Sequence, residues 1–556
     1  MKLFKIQITL FLNVIVCLLC IAIPLIWSKQ INGNYYNAKM FVLFLTSGFA
    51  LLSFSTSDQL KKIRFHKSIY ILILFFLYYQ FAFNLQNSYL SILFGLKPFA
   101  LYVLSYFFFQ LDTQFIQKHR QTFFALTGLL LTVFLSLHIY EVYEFRVLKD
   151  TIDQGRMLGT FGNINMVSEF FILSLPFLYW FLTQPTSSAK AQFKFLALTF
   201  WVFIILYSRS RSSWIGLVLF AVFIAYKHFN KKHLAYMSLG WALYLACMLI
   251  PSTQKDTVDD DKKNSFIERL SLYKATAQLI ADRPLGTGLG TFTNEIIPYR
   301  LIQEHKPHEF QYADQPHSEI LKWGAQYGWI GLVFCLGLFG YIIFSLFKLK
   351  NTLLISGFLV LLPQILFQFP FENPASILLI AIYLGFWLKK IMPEQQFLNS
   401  WKTRSAFIVL GLVMVLNSFA YIYSIYVESQ LNKDLDKTSL MCSIYPINHK
   451  NCNYKNVLLL EANQTSKFRQ DLKDEFFYSY FTSDQQRILP LYFQKINDIK
   501  HLCENILIYK LMYPLQKNYS PQDLSFCQKF SLPIKFDNPE QFNTDYKLWL
   551  RKALFE

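Results

Sequence analysis

Apolar and polar positions in this chain fall into long blocks rather than a short two- or three-residue rhythm. Apolar blocks lie near residues 6–28, 39–57, 68–86, 89–111, 122–142, 166–184, 193–208, 212–227, 234–250, 328–347, 352–369, 373–389 and 405–427. Most approach the length of about 20 residues that a helix needs to cross a bilayer, so the pattern predicts about thirteen spans. One polar interruption is much longer than the rest, from Pro251 to Tyr327. Beyond residue 428 the pattern changes. Lys467–Phe481, Asp484–Ile499 and Asp545–Leu554 mix apolar and charged residues at helical spacing, which predicts a soluble helical domain over 428–556. The membrane part is then 1–427.

Composition narrows the class. The chain has 556 residues, 54% of them hydrophobic, with 58 Phe and 33 Tyr. A soluble domain could not bury that much apolar surface, so the fold class is all-α and polytopic. Ile6–Trp27 follows Lys2 and Lys5 as a signal peptide would, but it has no small-residue cleavage site and reads as a retained anchor.

The net charge of +18 does not point to nucleic acid, because its distribution follows the spans. With the N-terminus inside, Lys61/Lys62/Arg64/Lys67, Lys118/Arg120, Lys190/Lys194, Lys227/Lys231/Lys232, Lys348/Lys350 and Lys389/Lys390/Lys402/Arg404 all fall on the cytoplasmic side, where basic residues orient spans and meet anionic lipid. The 251–327 loop and the C-terminal segment are then external. Cys442, Cys452, Cys503 and Cys527 lie in that segment, where disulfides are permitted; four cysteines allow three pairings, and free thiols are the alternative.

Against that background the external charges carry the chemistry. Ser208-Arg209-Ser210-Arg211-Ser212-Ser213 sits at a tight external turn, where two arginines oppose the orientation rule. Burying such a charge at mid-membrane costs about 2.5–3.5 kcal/mol. Guanidinium forks match phosphate oxygens, and Arg269 and Arg283 extend the positive field along the loop. His317, just before the next span, is the side chain whose ordinary pKa suits proton removal near neutrality, with Asp314 or Glu319 available to orient it. Gly286-Thr-Gly-Leu-Gly290 lacks the strand and βαβ unit of a dinucleotide site. It reads as a turn that lets loop and membrane helix approach closely. Arg156–Asn165 leads into a span with Glu169 one turn inside, a site candidate by its ionisable group. Gln368-Phe-Pro-Phe-Glu-Asn-Pro374 forms a third external hairpin.

In order, Gly159-Thr-Phe-Gly-Asn-Ile-Asn165, Ser210-Arg-Ser-Ser-Trp-Ile-Gly216, Arg269 through Pro284-Leu-Gly-Thr-Gly-Leu-Gly290, and His317-Ser-Glu-Ile-Leu-Lys-Trp-Gly-Ala-Gln-Tyr-Gly328 resemble the O-antigen ligase superfamily, in particular its bacterial protein O-oligosaccharyltransferase branch. The resemblance implies a membrane glycosyltransferase fold working on the periplasmic face of the inner membrane. It implies an undecaprenyl-diphosphate-linked glycan as donor, with no nucleotide sugar, cofactor or metal. By position, Arg211 and Arg269 match the family's diphosphate-binding arginines, with Arg209 beside them, and His317 matches its reactive histidine. Asn163 stands where the branch usually has glutamine, Asn165 keeps the following asparagine, and Phe369 stands where a tyrosine is usual. Acceptors compatible with these residues are a pilin-like exported protein, lipid A–core, or a growing glycan chain. A lipid-glycan transporter is the reading outside the enzyme class.

Overall fold

The structure is a computed structural model that describes residues 2–26, 36–61, 88–111, 133, 136–137, 159–161, 163–183, 188–208, 210–227, 237–243, 245, 257–296, 299–300, 315–392, 396–430, 459, 492–494, 496–512, 527 and 549. The chain is helical over most of the predicted spans. In order come α1 (Lys2–Leu25), α2 (Tyr36–Thr56), β1 (Gln59–Lys61), α3 (Ser88–Gln110), α4 (Ile164–Thr183), α5 (Ser188–Tyr207), α6 (Arg211–Lys227), α7 (Thr257–Asp282), the short α8 (Phe292–Glu295), α9 (Glu319–Leu349), α10 (Thr352–Phe367), α11 (Pro374–Ile391), β2 (Gln396–Leu398), α12 (Trp401–Gln430) and α13 (Ile499–Met512). Among the described residues, six helices are long and apolar enough to cross a membrane, and two shorter apolar helices, Leu196–Tyr207 and Thr352–Phe367, accompany them. The protein is thus an all-α polytopic membrane protein whose described strands form one short antiparallel pair, Gln59–Lys61 with Gln396–Leu398. The spans expected at 68–86, 122–142 and 234–250 lie wholly or largely outside the described residues, as do the helices expected at 467–481, 484–499 and 545–554.

Two compact units divide the chain. The first comprises Met1–His66, Leu96–Val258 and Gly337–Ile422. Its helix ends meet in two groups. The ends expected inside meet one another: Asn399 donates to the carbonyls of Phe54 and Ser57 at 2.7 and 2.9 Å, Arg404 pairs with Asp58 at 2.6 Å, and Lys389 donates to Leu111 O. Those expected outside also meet. Thr160 donates to Pro24 O at 2.5 Å, Lys39 donates to Pro24 O and Ile26 O at 3.2 and 2.7 Å, and Lys97 pairs with Glu372.

The second unit comprises Lys67–Gly95, Asp259–Leu336 and Tyr423–Glu556. Here the polar loop contains α7, which the search for apolar blocks passes over. Its signal is amphipathic: Leu272, Ala275, Leu279 and Ile280 recur at helical spacing and pack with Phe292, Ile296, Tyr299 and Ala325. The following membrane helix differs from expectation at its start. A span beginning at 328 is expected, whereas α9 begins at Glu319 and kinks at Gly328, whose φ of 66° and ψ of −171° are not helical.

The glycine loop explains how the kink is tolerated. The kink frees backbone groups that would otherwise be buried without partners, at a cost of about 1–3 kcal/mol each. Trp329 N–H turns to Pro284 O at 2.9 Å, while Ala325 O and Gln326 O accept from Thr287 and Gly288 N–H at 2.8 and 3.0 Å. The turn 284–288 thus supplies partners for Trp329 N–H, Ala325 O and Gln326 O. This requires close approach: a β-carbon on Gly286 would lie 2.5 Å from Gln326 O, and one on Gly328 would collide with Pro284 O. In the C-terminal segment, a disulfide joins Cys503 to Cys527; Cys442 and Cys452 lie outside the described residues.

Replacing Gly328 with alanine forces a side chain into left-handed backbone, about 1–3 kcal/mol before the collision is counted. A melt of purified G328A in detergent is expected to show a clearly lower midpoint than the parent; an unchanged midpoint would contradict the locked kink.

Candidate functional site

The second unit brings two of the expected site residues together on a short structural argument. Arg269 and Tyr273 are four residues apart on α7, so they share one face of the helix. Tyr273 donates its hydroxyl to the carbonyl of His317 at 3.1 Å. His317 holds a φ of 52°, a left-handed conformation uncommon outside glycine, and Ser318 and Glu319 then open α9. The carbonyl anchor and the start of the helix therefore fix the backbone on both sides of the imidazole. Ser318 Oγ reaches Leu321 N–H at 3.5 Å, and buried Glu319 places its charge at the helix N-terminus, where a carboxylate is favourable. Asp314, the other candidate to orient His317, lies outside the described residues.

Electrostatics set the protonation state. Burial and the neighbouring Arg269 charge hold the His317 pKa at about 4, below its ordinary 6.5. Both causes disfavour the imidazolium, so at neutral pH the ring is uncharged and able to accept a proton. Next to Arg269, Glu268 lies 4.0 Å from the buried guanidinium of Arg300. Arg269 itself is half-buried. The Arg269 guanidinium can bind an oxyanion while the neutral His317 imidazole receives a proton from a hydroxyl.

The first unit carries the remaining candidates. Arg211 is exposed at the first position of α6, where an arginine opposes the helix dipole and the two together attract an anion. Its neighbours are buried: Ser210 Oγ and Ser212 Oγ are 3.2 Å apart, and Ser212 donates to Gln364 Oε1 of α10 at 3.1 Å. The start of α6 is thereby tied to α10. Arg209 lies outside the described residues.

Asn163 is exposed and accepts from Asn165 N–H at 2.9 Å, an Asx turn that starts α4. One turn on, Glu169 is buried and accepts from Asn373 Nδ2 at 3.1 Å and from Ser376 Oγ. Its carboxylate therefore joins α4 to the start of α11, which gives it a packing role. Asn373 also caps α11, accepting from Ala375 N–H at 3.2 Å. Phe369, half-buried, begins the turn that Glu372 N–H closes by donating to its carbonyl at 2.9 Å.

Sequence reading passes over four residues here: Tyr273, Lys39, Lys97 and the acceptor role of Gln364. Lys39 and Lys97 carry a usable signal, since each is a charge inside an apolar block. Lys39 ties down the end of α1 and lies 4.7 Å from the Phe161 ring, in the Gly159–Phe161 turn.

The protonation state of His317 can be measured without any substrate. Diethyl pyrocarbonate modifies neutral imidazole only, so the rate at His317, read by peptide mass spectrometry, is expected to fall with a midpoint near pH 4. In Arg269→Gln the midpoint is expected to move upward, because one cause of the lowering is removed. A midpoint at the ordinary histidine value in the parent protein would contradict the account.

Comparison with curated proteins gives no match. Residues 195–336 match a family model described as O-Antigen ligase. That stretch holds Arg211, Arg269, the 284–290 turn, His317 and the α9 kink, so the chain carries a domain of the O-antigen ligase family.

Proposed function

We propose that the protein transfers a preassembled glycan from an undecaprenyl-diphosphate carrier to a serine or threonine hydroxyl of an exported, pilin-like protein. An O-antigen ligase domain in a membrane-spanning chain points to glycan transfer by a ligase-type enzyme. The observation that carries the finer reading is the juxtaposition of Arg269 with a neutral His317 beside a membrane helix.

The chemistry follows from those two groups. Arg269 holds a diphosphate oxygen and stabilises the charge that grows on the leaving group. The acceptor hydroxyl attacks the anomeric carbon; the C–O bond to the acceptor forms as the bond from that carbon to the diphosphate oxygen breaks. His317 Nδ1 or Nε2 takes the hydroxyl proton, and one displacement inverts the anomeric centre. Binding of the diphosphate offsets the Arg269 charge, one of the two causes that hold the His317 pKa down. The donor therefore raises the basicity of the group that completes the reaction. Arg211 and Arg209 are assigned to diphosphate binding on the family resemblance. Asn163, Asn165, Glu169, Glu319 and Phe369 remain candidates for the donor and acceptor surfaces, and Glu169 also joins α4 to α11.

The proposed location is the bacterial inner membrane, with the site and C-terminus periplasmic. The grouping of helix ends in the first unit supports the alternation, and α6, α9 and α11 each end in lysine away from their site-bearing starts. The Cys503–Cys527 disulfide supports an oxidising compartment for the proposed 428–556 domain. The domain description itself favours a second acceptor, lipid A–core.

Expression in a host lacking its own ligase, supplied with a lipid-linked glycan and candidate pilins, separates these acceptors. Intact-mass spectrometry is expected to show glycan on pilin with the parent protein. With His317→Ala, transfer should be lost, a fall of at least the roughly 10²–10⁴-fold that a positioned base contributes. Capped lipid A–core with unmodified pilin would replace the protein acceptor with the lipid one. Full turnover by His317→Ala would remove the histidine from the chemistry.

A further inference from the structure

We infer that Lys97 is a positioning residue for the 369–372 turn, acting through its buried ion pair with Glu372; its consequence for catalysis rests on the proposed glycan transfer, its geometry does not. Lys97 lies within α3, in an apolar block, and pairs with Glu372. Both side chains are more than nine-tenths buried, at 9% and 8% exposure. The ammonium also lies 5.5 Å from the ring of Tyr36 at the start of α2. A charge in this place is unfavourable unless paired, and an apolar side chain would fill the space at no such cost. What the pair provides is direction: it fixes which way the carboxylate, and the turn that bears it, must face.

The turn is short enough to transmit that constraint. Glu372 N–H donates to Phe369 O at 2.9 Å, so the residue gripped by Lys97 also closes the turn that begins at Phe369. The next residue, Asn373, is gripped from α4 through its 3.1 Å bond to Glu169. The hairpin is thus held from two helices, by an ion pair on one side and an amide on the other. Phe369 opens the turn, and its backbone carbonyl is held by the Glu372 N–H. Lys97 and Glu372 both lie outside residues 195–336, so the family match does not account for them. On the proposed function the 369–372 turn seats the acceptor. Loss of Lys97 should therefore appear in the acceptor KM and leave the donor KM alone.

The test uses the full chain in liposomes with lipid-linked glycan, as Lys97→Met, Glu372→Gln, Lys97→Arg and the exchange Lys97→Glu/Glu372→Lys. The first readout needs no catalysis. In a Phe369→Cys background, maleimide labelling at residue 369, read by mass spectrometry, is expected to change roughly tenfold in the two neutralised variants, as when one partner of a buried pair is removed. It should return toward the parent rate in Lys97→Arg and in the exchange. In the Phe369 background, acceptor KM is expected to rise by about the same factor in the neutralised variants, with donor KM unchanged and both restored by the exchange.

Labelling that is unchanged in Lys97→Met, or not restored by either rescue, overturns the inference whatever the kinetics. A fall in kcat or a rise in donor KM, with acceptor KM constant, overturns it too. If the parent protein glycosylates no protein but labelling shifts and recovers as expected, the positioning of the turn stands and the proposed acceptor falls.

Discussion

The second unit depends on one exchange of backbone hydrogen bonds, in which a glycine turn supplies what a broken membrane helix lacks. At Gly328 the helical ladder of α9 is interrupted, and the turn 284–288 accepts one N–H and donates two in its place. Two glycines make the approach possible, because a side chain at either would meet a backbone carbonyl. The exchange ties α9 to the end of α7, the helix that carries Arg269 and Tyr273. His317 lies between these constraints, two residues before α9 and bonded through its carbonyl to Tyr273. The separation of Arg269 from His317 is thus set by two packed helices rather than by the long loop in between.

That arrangement gives the site its chemical character. A histidine near an arginine in a half-buried setting is a poor cation, uncharged at neutral pH but of lowered basicity, whereas the same residue in open loop would be partly charged near neutrality. The arginine in turn has an open role toward an anion. In the proposed reaction a diphosphate leaving group satisfies it, and in doing so relieves part of the field that lowers the basicity of the histidine. Substrate binding and activation of the base are therefore coupled through a single charge. In the first unit, buried polar groups including Lys39, Lys97, Glu169 and Asn373 hold the 159–161 and 368–373 segments in place.

The apolar blocks made the membrane class legible, and they placed helices correctly over spans such as 39–57, 166–184 and 373–389, because about 20 consecutive apolar residues leave few alternatives. The close approach of the 286–290 glycines to a membrane helix was legible too, since so many glycines in one turn serve little else. The kink was not, because a glycine inside an apolar run has no local mark of the partner that replaces its hydrogen bonds. Helix α7 is no apolar block, its buried apolar face among the described residues being Leu272, Ala275, Leu279 and Ile280. Motif order singled out His317, Arg211 and Arg269, and the structure places Arg269 near His317. Tyr273 and Lys97 were not singled out, because their roles arise from residues 44 and 275 positions away.

The most direct test of the account is electron cryomicroscopy of the protein in nanodiscs with a bound undecaprenyl-diphosphate-linked glycan, using His317→Ala to prevent turnover. The account predicts diphosphate density against the Arg269 guanidinium, with the anomeric carbon turned toward residue 317. Diphosphate bound away from Arg269, with residue 317 facing no part of the sugar, would contradict it.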